Sequence, residues 1–284
     1  MKPDVYILLP VHNRIEITAL FVDCLRAQSF KNYQLVLIDD GSNDGTEEMV
    51  KAQIANLTVL KGEGDWWWAG SLQQGLDWLK KQHLSNDTLI LFINDDVCFA
   101  ADYLERARRV MANKKGVLVL SQYLAPGSKN IIESGIFANL RNLTFMSANA
   151  VDKINCLSTR GLFVHWQDVK VIGGFHPKLL PHYLSDYEYT LRAYRRGLKC
   201  ETSPQLLIEP EFETTGYRAV NEKRFLKFLK KYFSKKSAAN PIYWTSFVLL
   251  ATPASSVPIN LTRVWYGAGK AILRALSAGI VKNK

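Results

Sequence analysis

The 284 residues contain no CxxC pair. Their four cysteines, Cys24, Cys98, Cys156 and Cys200, lie far apart. That spacing argues against a zinc ribbon, a thioredoxin-type redox motif and a disulfide-dense secreted scaffold. The cysteines read instead as buried thiols in a reducing cytosol. Proline and glycine are scarce, at 10 and 17 residues, so the chain is neither collagen-like nor of low complexity. With 48% hydrophobic residues, wholesale disorder is excluded. Long apolar runs are missing too. Residues 242–252 (IYWTSFVLLAT) are too short to span a bilayer, and extending them meets Pro253 and Pro258. The opening MKPDVYILLP does not read as a signal peptide, because Asp4 precedes a short apolar run that ends at Pro10. No GxxxxGK[ST] occurs, so there is no P-loop. No GxGxxG opens a helix after the first strand, which argues against a dinucleotide-binding site. The absence of GxSxG and HExxH removes the common hydrolase signatures.

Acidic residues are missing from one region in particular. Residues 221–284 carry 12 Lys/Arg and a single acid, Glu222. The net charge of the whole chain is +10, so the entire excess sits in the last quarter on a nearly neutral body. A basic tail on a neutral body points to an anionic surface rather than to nucleic acid.

The first 120 residues alternate strand and helix patterns. Strands are predicted at Val5–Val11, Gln34–Asp39, Leu57–Leu60, Thr88–Ile93 and Val117–Ser121. Helices are predicted at Ile15–Gln28, Asp44–Ile54, Gly70–Gln82 and Ala101–Ala112. Continuous apolar strands such as VYILLPV are buried on both faces. The pattern gives an α/β class: an open, mostly parallel sheet flanked by helices. Ligands of such sheets bind beyond the carboxyl ends of the strands. Residues 131–165 hold short strand-like pieces. Ser185–Arg196 reads as a helix, with Ser185 and Glu188 as a capping box and Gly197 as its stop. Leu206–Ile208 reads as a last core strand. Residues 1–215 are taken as one domain and 216–284 as a basic amphipathic helical region. There Phe225, Phe228, Leu229, Tyr232 and Phe233 share one helical face, and Leu261, Val264, Trp265, Ala268, Ile272 and Leu276 another. Such helices either pack on the core or lie on an anionic leaflet.

The residues that carry chemistry sit at strand ends. Pro10-Val11-His12-Asn13-Arg14 closes the first strand. Asp39-Asp40-Gly41-Ser42-Asn43-Asp44-Gly45-Thr46 closes the second. It can be a turn in which Ser42 or Asp44 caps the next helix, or a carboxylate pair that accepts hydrogen bonds from a base and a ribose. Asn94-Asp95-Asp96 follows the apolar strand LILFI. Two adjacent buried carboxylates are costly without a cation, and a hard divalent ion such as Mg²⁺ or Mn²⁺ offsets that cost. The plainer reading is a solvated turn. Asp186 falls in the first turn of its helix, where the dipole favours the ionised form and a carboxylate can accept a proton from a hydroxyl.

These four motifs, in this order, resemble the family 2 inverting glycosyltransferases of GT-A fold over about residues 4–210. PVHNR resembles the family's opening motif at the nucleotide pocket. IDDGSNDGT is close to DDGSxDGT, FINDDV looks like the DxD-type motif, and Gly173-Gly174-Phe175 matches the GGF element. SDYEYTLRAYRRG resembles ED-x-D-x-x-x-R-x-x-x-G. The resemblance implies Asp186 as catalytic base and Asp96 as holder of Mg²⁺ or Mn²⁺. It implies Pro10, His12, Asn13, Arg14, Asp39, Asp40, Gly70, Asn94 and Asp95 as donor-binding residues. Trp67, Trp68, Gly173, Gly174 and Glu188 would line the sugar and acceptor site. Two departures stand out. Ser185 occupies the place of the motif's usual Glu, and Glu209-Pro210-Glu211 stands where many relatives carry a histidine. Either Glu209 or Glu211 then completes the metal shell, or water does. Trp66-Trp67-Trp68-Ala69-Gly70 looks like the WW-x-G segment of rhamnosyltransferase-like members.

The function so implied is metal-dependent, inverting sugar transfer from a UDP- or dTDP-sugar, dTDP-rhamnose among them. The acceptor would be a hydroxyl of a glycan or lipid-linked acceptor in surface polysaccharide synthesis. The protein would be cytoplasmic and peripheral on the inner face of the cytoplasmic membrane. A sugar-nucleotidyltransferase is disfavoured because PVHNR is not a Gly-rich phosphate loop. A non-catalytic sugar- or RNA-binding module is disfavoured by the Asp clusters of the neutral body.

Overall fold

A computed structural model describes residues 2–128, 130–148, 153–210, 222 and 224–280 of the chain. Strand β1 (Val5–Val11) is buried along its whole length. Its side chains alternate between two cores, Ile7 and Leu9 entering one and Tyr6 and Leu8 the other. Strands β2 (Tyr33–Asp39), β3 (Leu57–Lys61) and β4 (Leu89–Phe92) pair parallel in the order β3-β2-β1-β4. Helices α1 (Ile15–Arg26), α2 (Thr46–Gln53) and α4 (Tyr103–Met111) cover one face through Phe21, Val22, Leu25, Val50 and Leu104. Helices α3 (Trp67–Lys80), α5 (Trp166–Ile172) and α6 (Ser185–Arg195) cover the other through Leu72, Leu76, Val169 and Tyr189. Burial on both faces explains why these strands lack polar alternation.

Beyond β4 the sheet becomes mixed. Strand β10 (Leu162–His165) is inserted antiparallel between β4 and β6 (Val117–Leu124). Strand β11 (Lys199–Pro210) runs parallel to β6, with a bulge between Ser203 and Leu207, and antiparallel to the short β5 (Val97–Cys98). Strand β7 (Ile131–Glu133) extends the β6 edge, and β8 (Ile136–Asn139) and β9 (Thr144–Ser147) form a separate hairpin. Strand order reverses at β1, between β2 and β4. A crevice opens there at the carboxyl ends.

Two local expectations are corrected. Helix α6 has no Ser185–Glu188 capping box. Leu184, with a left-handed φ of 68°, precedes the helix, and the Ser185 hydroxyl donates to the His182 carbonyl. Glu188 is drawn instead to Arg192 one turn on. Helix α2 starts from Gly45, and Asp44 accepts hydrogen bonds from both Thr46 N and Ile15 N, tying two helix starts together. The stop at Gly197 is as expected. Leu198 N donates to Ala193 O and Gly197 N to Tyr194 O, which satisfies the last carbonyls of α6.

The C-terminal region contains α7 (Phe225–Tyr232), α8 (Pro241–Ala251) and α9 (Val257–Ile280). The apolar face of α7 is turned on α9. Phe228 and Tyr232 are buried against Ala268, Ala271 and Ile272. Helix α8 packs on α6 through Phe247 and Ala251, which meet Leu180 and Leu191. Ile242, Leu249, Trp265, Tyr266 and Leu273 are left exposed. Among the described residues no helix is long and apolar enough to cross a membrane. The boundary expected at 215/216 lies outside the described residues.

Candidate active site

The carboxyl ends of β1, β2 and β4 open into a cleft of about 800 Å³. Pro10, His12, Arg14, Asp40, Trp67, Trp68, Asn94, Asp95, Asp96 and Asp186 line it together. They come from segments as far apart as β1 and α6. The crossover order of the sheet is what gathers them.

Asp40 is buried and fully engaged. Its two carboxylate oxygens accept from Gly64 N (2.9 Å) and Trp67 N (3.0 Å), and its carbonyl accepts from His12 Nδ1 (2.6 Å). Those bonds hold the 62–67 loop against the end of β2. Gly41 is the residue this packing demands. Its φ is +77°, and a Cβ there would lie 2.8 Å from Gly64 N. Asp39 points elsewhere. It accepts from Ser42 N at 2.7 Å and does not line the cleft. Asn13 also works as a staple, with its amide N donating to Ser42 Oγ and its Oδ1 accepting from Asn43 N.

Asp95 and Asp96 are both buried. Asp95 Oδ2 accepts from Thr18 Oγ1 at 3.0 Å and lies 3.3 Å from Arg14 Nε. Burial pushes its carboxyl up to about 6, against the pull of Arg14 and with the added push of Asp96. Asp96 Oδ2 lies 3.6 Å from Arg14 Nη2, while Asp96 Oδ1 is buried without a hydrogen-bond partner. An unpartnered buried carboxylate oxygen is costly, and a divalent cation is a partner that fits it. Among the described residues no group of three His, Cys, Asp or Glu side chains could hold a metal alone. Glu209 does not join Asp96. It lines a separate cavity with Cys98, Phe99 and Tyr103. Glu211 lies outside the described residues.

Asp186 lies in the first turn of α6, partly exposed to the cleft. Its Oδ1 accepts from Tyr187 N at 2.9 Å. Burial pushes its carboxyl up to about 7. The Tyr187 hydrogen bond works the other way, Glu133 adds to the rise, and Arg160 opposes it weakly. A carboxylate poised near neutrality suits proton transfer at ordinary pH.

The remaining expected site residues lie behind the cleft. Gly70 packs under Trp66, where a Cβ would come 3.1 Å from that side chain. At Gly174 a Cβ would lie 2.3 Å from Gln73 Oε1, which accepts from Phe175 N. Arg192 donates to the carbonyls of Ile172 and Gly174, so Gly173 and Gly174 form a clamp between α3 and α6. Glu188 is buried and gives both carboxylate oxygens to Arg192 at 2.9 Å. Its carboxylate holds that clamp and does not line the cleft.

The three tryptophans divide as their neighbours dictate. Trp66 packs on the core. Trp68 does so too, and donates from Nε1 to Thr159 Oγ1 at 3.1 Å. Trp67 adopts a left-handed φ of 58° and faces the cleft. Asn13, Trp67 and Leu184 are three of the five described non-glycine residues with such backbone; Trp67 lines the cleft, and Asn13 and Leu184 directly adjoin in sequence residues that line it.

Glu133, Ser158, Thr159, Arg160, His182, Tyr183, Tyr187 and Lys236 also line the cleft. Sequence reasoning missed them. His182 and Tyr183 could have been found as the polar residues immediately before the Asp186 helix. Tyr187 stands beside Asp186 in α6 and Glu133 ends β7, while Ser158, Thr159 and Arg160 come from an irregular segment and Lys236 from the C-terminal region, with no local pattern to mark them.

Solved structures share this architecture. Staphylococcus aureus TarS 1–349 with UDP-GlcNAc aligns over 100% of this chain and 92% of its own, with a TM-score of 0.60 and 17% identity. The mannosyltransferase PcManGT of Pyrobaculum calidifontis, in complex with GDP-Man and Mn²⁺, aligns over 99% and 80%, with a TM-score of 0.56 and 16% identity. At such identities these likenesses show the fold, the GT-A arrangement of a curled open sheet flanked by helices. In sequence, the chain is 26% identical over 149 residues to the putative glycosyltransferase EpsE of Bacillus subtilis. That match takes in 48% of this chain and 52% of the relative, so the chain spans about half of EpsE. The family model Glycosyl transferase family 2 matches residues 6–162, from β1 to the start of β10. Because that match takes in more than half of the chain, with the cleft motifs of β1, β2 and β4 inside it, the chain belongs to glycosyl transferase family 2.

Proposed function

We propose that the protein transfers a sugar, with inversion, from a nucleotide-diphosphate donor to a hydroxyl of a glycan or lipid-linked acceptor. The observation that carries this reading is Asp186, poised near neutrality in one cleft with the unpartnered oxygen of Asp96. Asp186 accepts the proton of the acceptor hydroxyl as that oxygen attacks the anomeric carbon. The bond from that carbon to the donor's phosphate oxygen breaks on the opposite side, and the nucleoside diphosphate leaves with the electron pair. A single in-line displacement inverts the centre.

The electrostatics support an ion in the cleft. Five described carboxylates (Asp40, Asp95, Asp96, Glu133 and Asp186) face three fixed cations (Arg14, Arg160 and Lys236) there. A diphosphate adds more negative charge. Asp96 would hold Mg²⁺ or Mn²⁺, and such an ion would supply positive charge against the leaving diphosphate. The relative solved with GDP-Man and Mn²⁺ is consistent with that assignment. Trp67 offers an apolar face suited to stacking on a base or a sugar ring. A UDP- or dTDP-sugar is the proposed donor, with dTDP-rhamnose favoured by the WW-x-G segment.

The acceptor proposal rests on the C-terminal helices. Trp265, Tyr266 and Leu273 are exposed on α9 beside Arg263, Lys270 and Arg274. Such a surface suits the anionic inner face of a membrane and a lipid-linked acceptor of surface polysaccharide synthesis.

The test is thermal stabilisation by a panel of UDP-, dTDP- and GDP-sugars with and without Mn²⁺, followed by a transfer assay on the donor that binds. Ligand at a hundred times its dissociation constant adds about 2.7 kcal/mol. A metal-dependent shift with one nucleotide, and a product of inverted anomeric configuration, are expected. No shift with any donor together with no sugar transfer would overturn the reading.

A further inference from the structure

The far wall of the cleft comes from the turn between α7 and α8. Lys236 lines the cleft from there. The ammonium groups of Lys235 and Lys236 lie 5.5 and 5.9 Å from the Trp67 ring centroid. His182 meets the same ring edge-on, with centroids 6.0 Å apart. Its Nδ1 is buried without a hydrogen-bond partner.

This turn is built rather than loose. Asn240 is buried at its base, with 1% of its surface exposed. Its Nδ2 donates to the carbonyls of Phe233 (2.8 Å) and Ser234 (3.2 Å), immediately before the lysine pair. Its Oδ1 accepts from Ile242 N and caps α8. On the other side of the pair, Trp244 Nε1 donates to the Ala238 carbonyl at 2.9 Å. The backbone that carries the two lysines is therefore fixed beside Trp67, and their exposed side chains reach over its ring. Among the described residues neither forms an ion pair. Adjacent like charges held in a fixed turn repel, and an anion between them and His182 would relieve that repulsion. Burial and the Lys236 charge lower the pKa of His182 and favour the neutral ring, which carries one N–H donor.

We propose that Lys236, with His182 beside it, forms a phosphate subsite on the C-terminal wall of the cleft, for a phosphate-bearing substrate. The phosphate is either the β-phosphate of the nucleotide donor or the phosphate of a lipid-linked acceptor. This deepens the transferase reading and rests on it. Asn240 fixes the backbone of the turn that carries the lysine, and Trp67 forms the apolar floor. The subsite also gives the C-terminal region a part in substrate binding that does not depend on any membrane.

The test uses the full chain as wild type, Lys236→Gln, Lys236→Arg and His182→Phe. The probes are UMP, UDP, GMP and GDP with Mn²⁺, and farnesyl phosphate. If the donor supplies the phosphate, Lys236→Gln weakens the diphosphates by about tenfold and leaves the monophosphates within about twofold. If the acceptor supplies it, nucleotide affinities hold and farnesyl phosphate weakens by a similar factor. Lys236→Arg should keep most of the affinity, and His182→Phe should weaken the same probe as Lys236→Gln. Unchanged affinities for every probe in Lys236→Gln, with the wild type binding normally, would overturn the subsite alone. A wild type that binds neither nucleotides nor farnesyl phosphate would overturn the transferase reading, and the subsite with it.

Discussion

Glu188 and Arg192 form a two-pronged pair one helical turn apart, with Oε1 to Nε and Oε2 to Nη2 both at 2.9 Å. Arg192 then reaches across to the carbonyls of Ile172 and Gly174. One buried acid thus fixes the helix that carries Asp186 against the Gly173-Gly174 clamp. Glu188→Gln should leave the guanidinium without its counter-charge and cost about 3–5 kcal/mol. Chemical denaturation would read this as a lower midpoint. The double variant Glu188→Gln/Arg192→Met should recover part of the loss, because it removes the stranded charge as well.

Asp186 predicts a pH dependence of two kinds. Proton acceptance needs the ionised form, so kcat/KM should fall about tenfold per pH unit below about 7. Stability runs the other way. The folded state holds this carboxyl above its ordinary range, so it favours the neutral acid. The group's contribution to stability is full below the ordinary carboxylate range and is lost as pH rises through about 7. Asp186→Asn should therefore abolish transfer, keep nucleotide affinity, and melt at a higher temperature than the wild type near pH 8. Below about pH 4 the two should melt alike. An Asp186→Asn enzyme with near-normal turnover would remove Asp186 from the role of base.

Asp96 Oδ1 is the oxygen left for a cation. Asp96→Ala should remove the Mn²⁺-dependent part of nucleotide binding and leave the metal-free part. Isothermal titration of UDP with and without Mn²⁺ reads both. Equal Mn²⁺ dependence in the variant and the wild type would take Asp96 out of the metal site.

Gly41 should tolerate no side chain. Gly41→Ala meets Gly64 N at 2.8 Å and forces alanine into left-handed backbone. It should cost more than about 1 kcal/mol and weaken donor binding by displacing the loop that Asp40 holds. A folded variant with wild-type nucleotide affinity would show that the 62–67 loop does not shape the donor site.

The exposed residues of α9 make the membrane proposal testable without deleting any helix. Full-length Tyr266→Ser/Leu273→Ser should sediment less with vesicles rich in anionic lipid and keep its melting temperature, since both side chains face solvent. Unchanged sedimentation would refute α9 as the lipid-facing helix.

Much of this was legible in the sequence. The parallel half of the sheet reads directly from continuous apolar runs, because burial on both faces leaves Val5–Val11, Leu35–Ile38 and Leu89–Phe92 without a polar position. The strand-end motifs were legible for a related reason, since polar residues directly after such runs have few places to be except a cleft. Other features were hidden. Helix α5 is only seven residues long and lies buried directly after β10, so no separate period or cap marks it. The Ser185–Glu188 spacing fits a capping box, yet Arg192 one turn later is the stronger partner for a buried acid. The apolar face of α7 reads equally well as a membrane face or a packing face. Only the proximity of α9 decides between them at Phe228 and Tyr232. Lys236 could not be assigned to the cleft from sequence, because its place depends on how α8 docks on α6.

That docking bears on how the chain can be divided. Phe247 and Ala251 of α8 meet Leu191 of α6, and Arg195 donates to the Leu250 carbonyl at 2.9 Å. The helix that carries Asp186 is therefore sandwiched between the sheet and the last quarter of the chain. A chimera that exchanged the tail with that of a relative would import a different cleft wall and a different backing for Asp186. Under the proposed sugar transfer, donor preference would then be inherited partly from the tail, and the smallest transplantable unit would be the whole chain through α9.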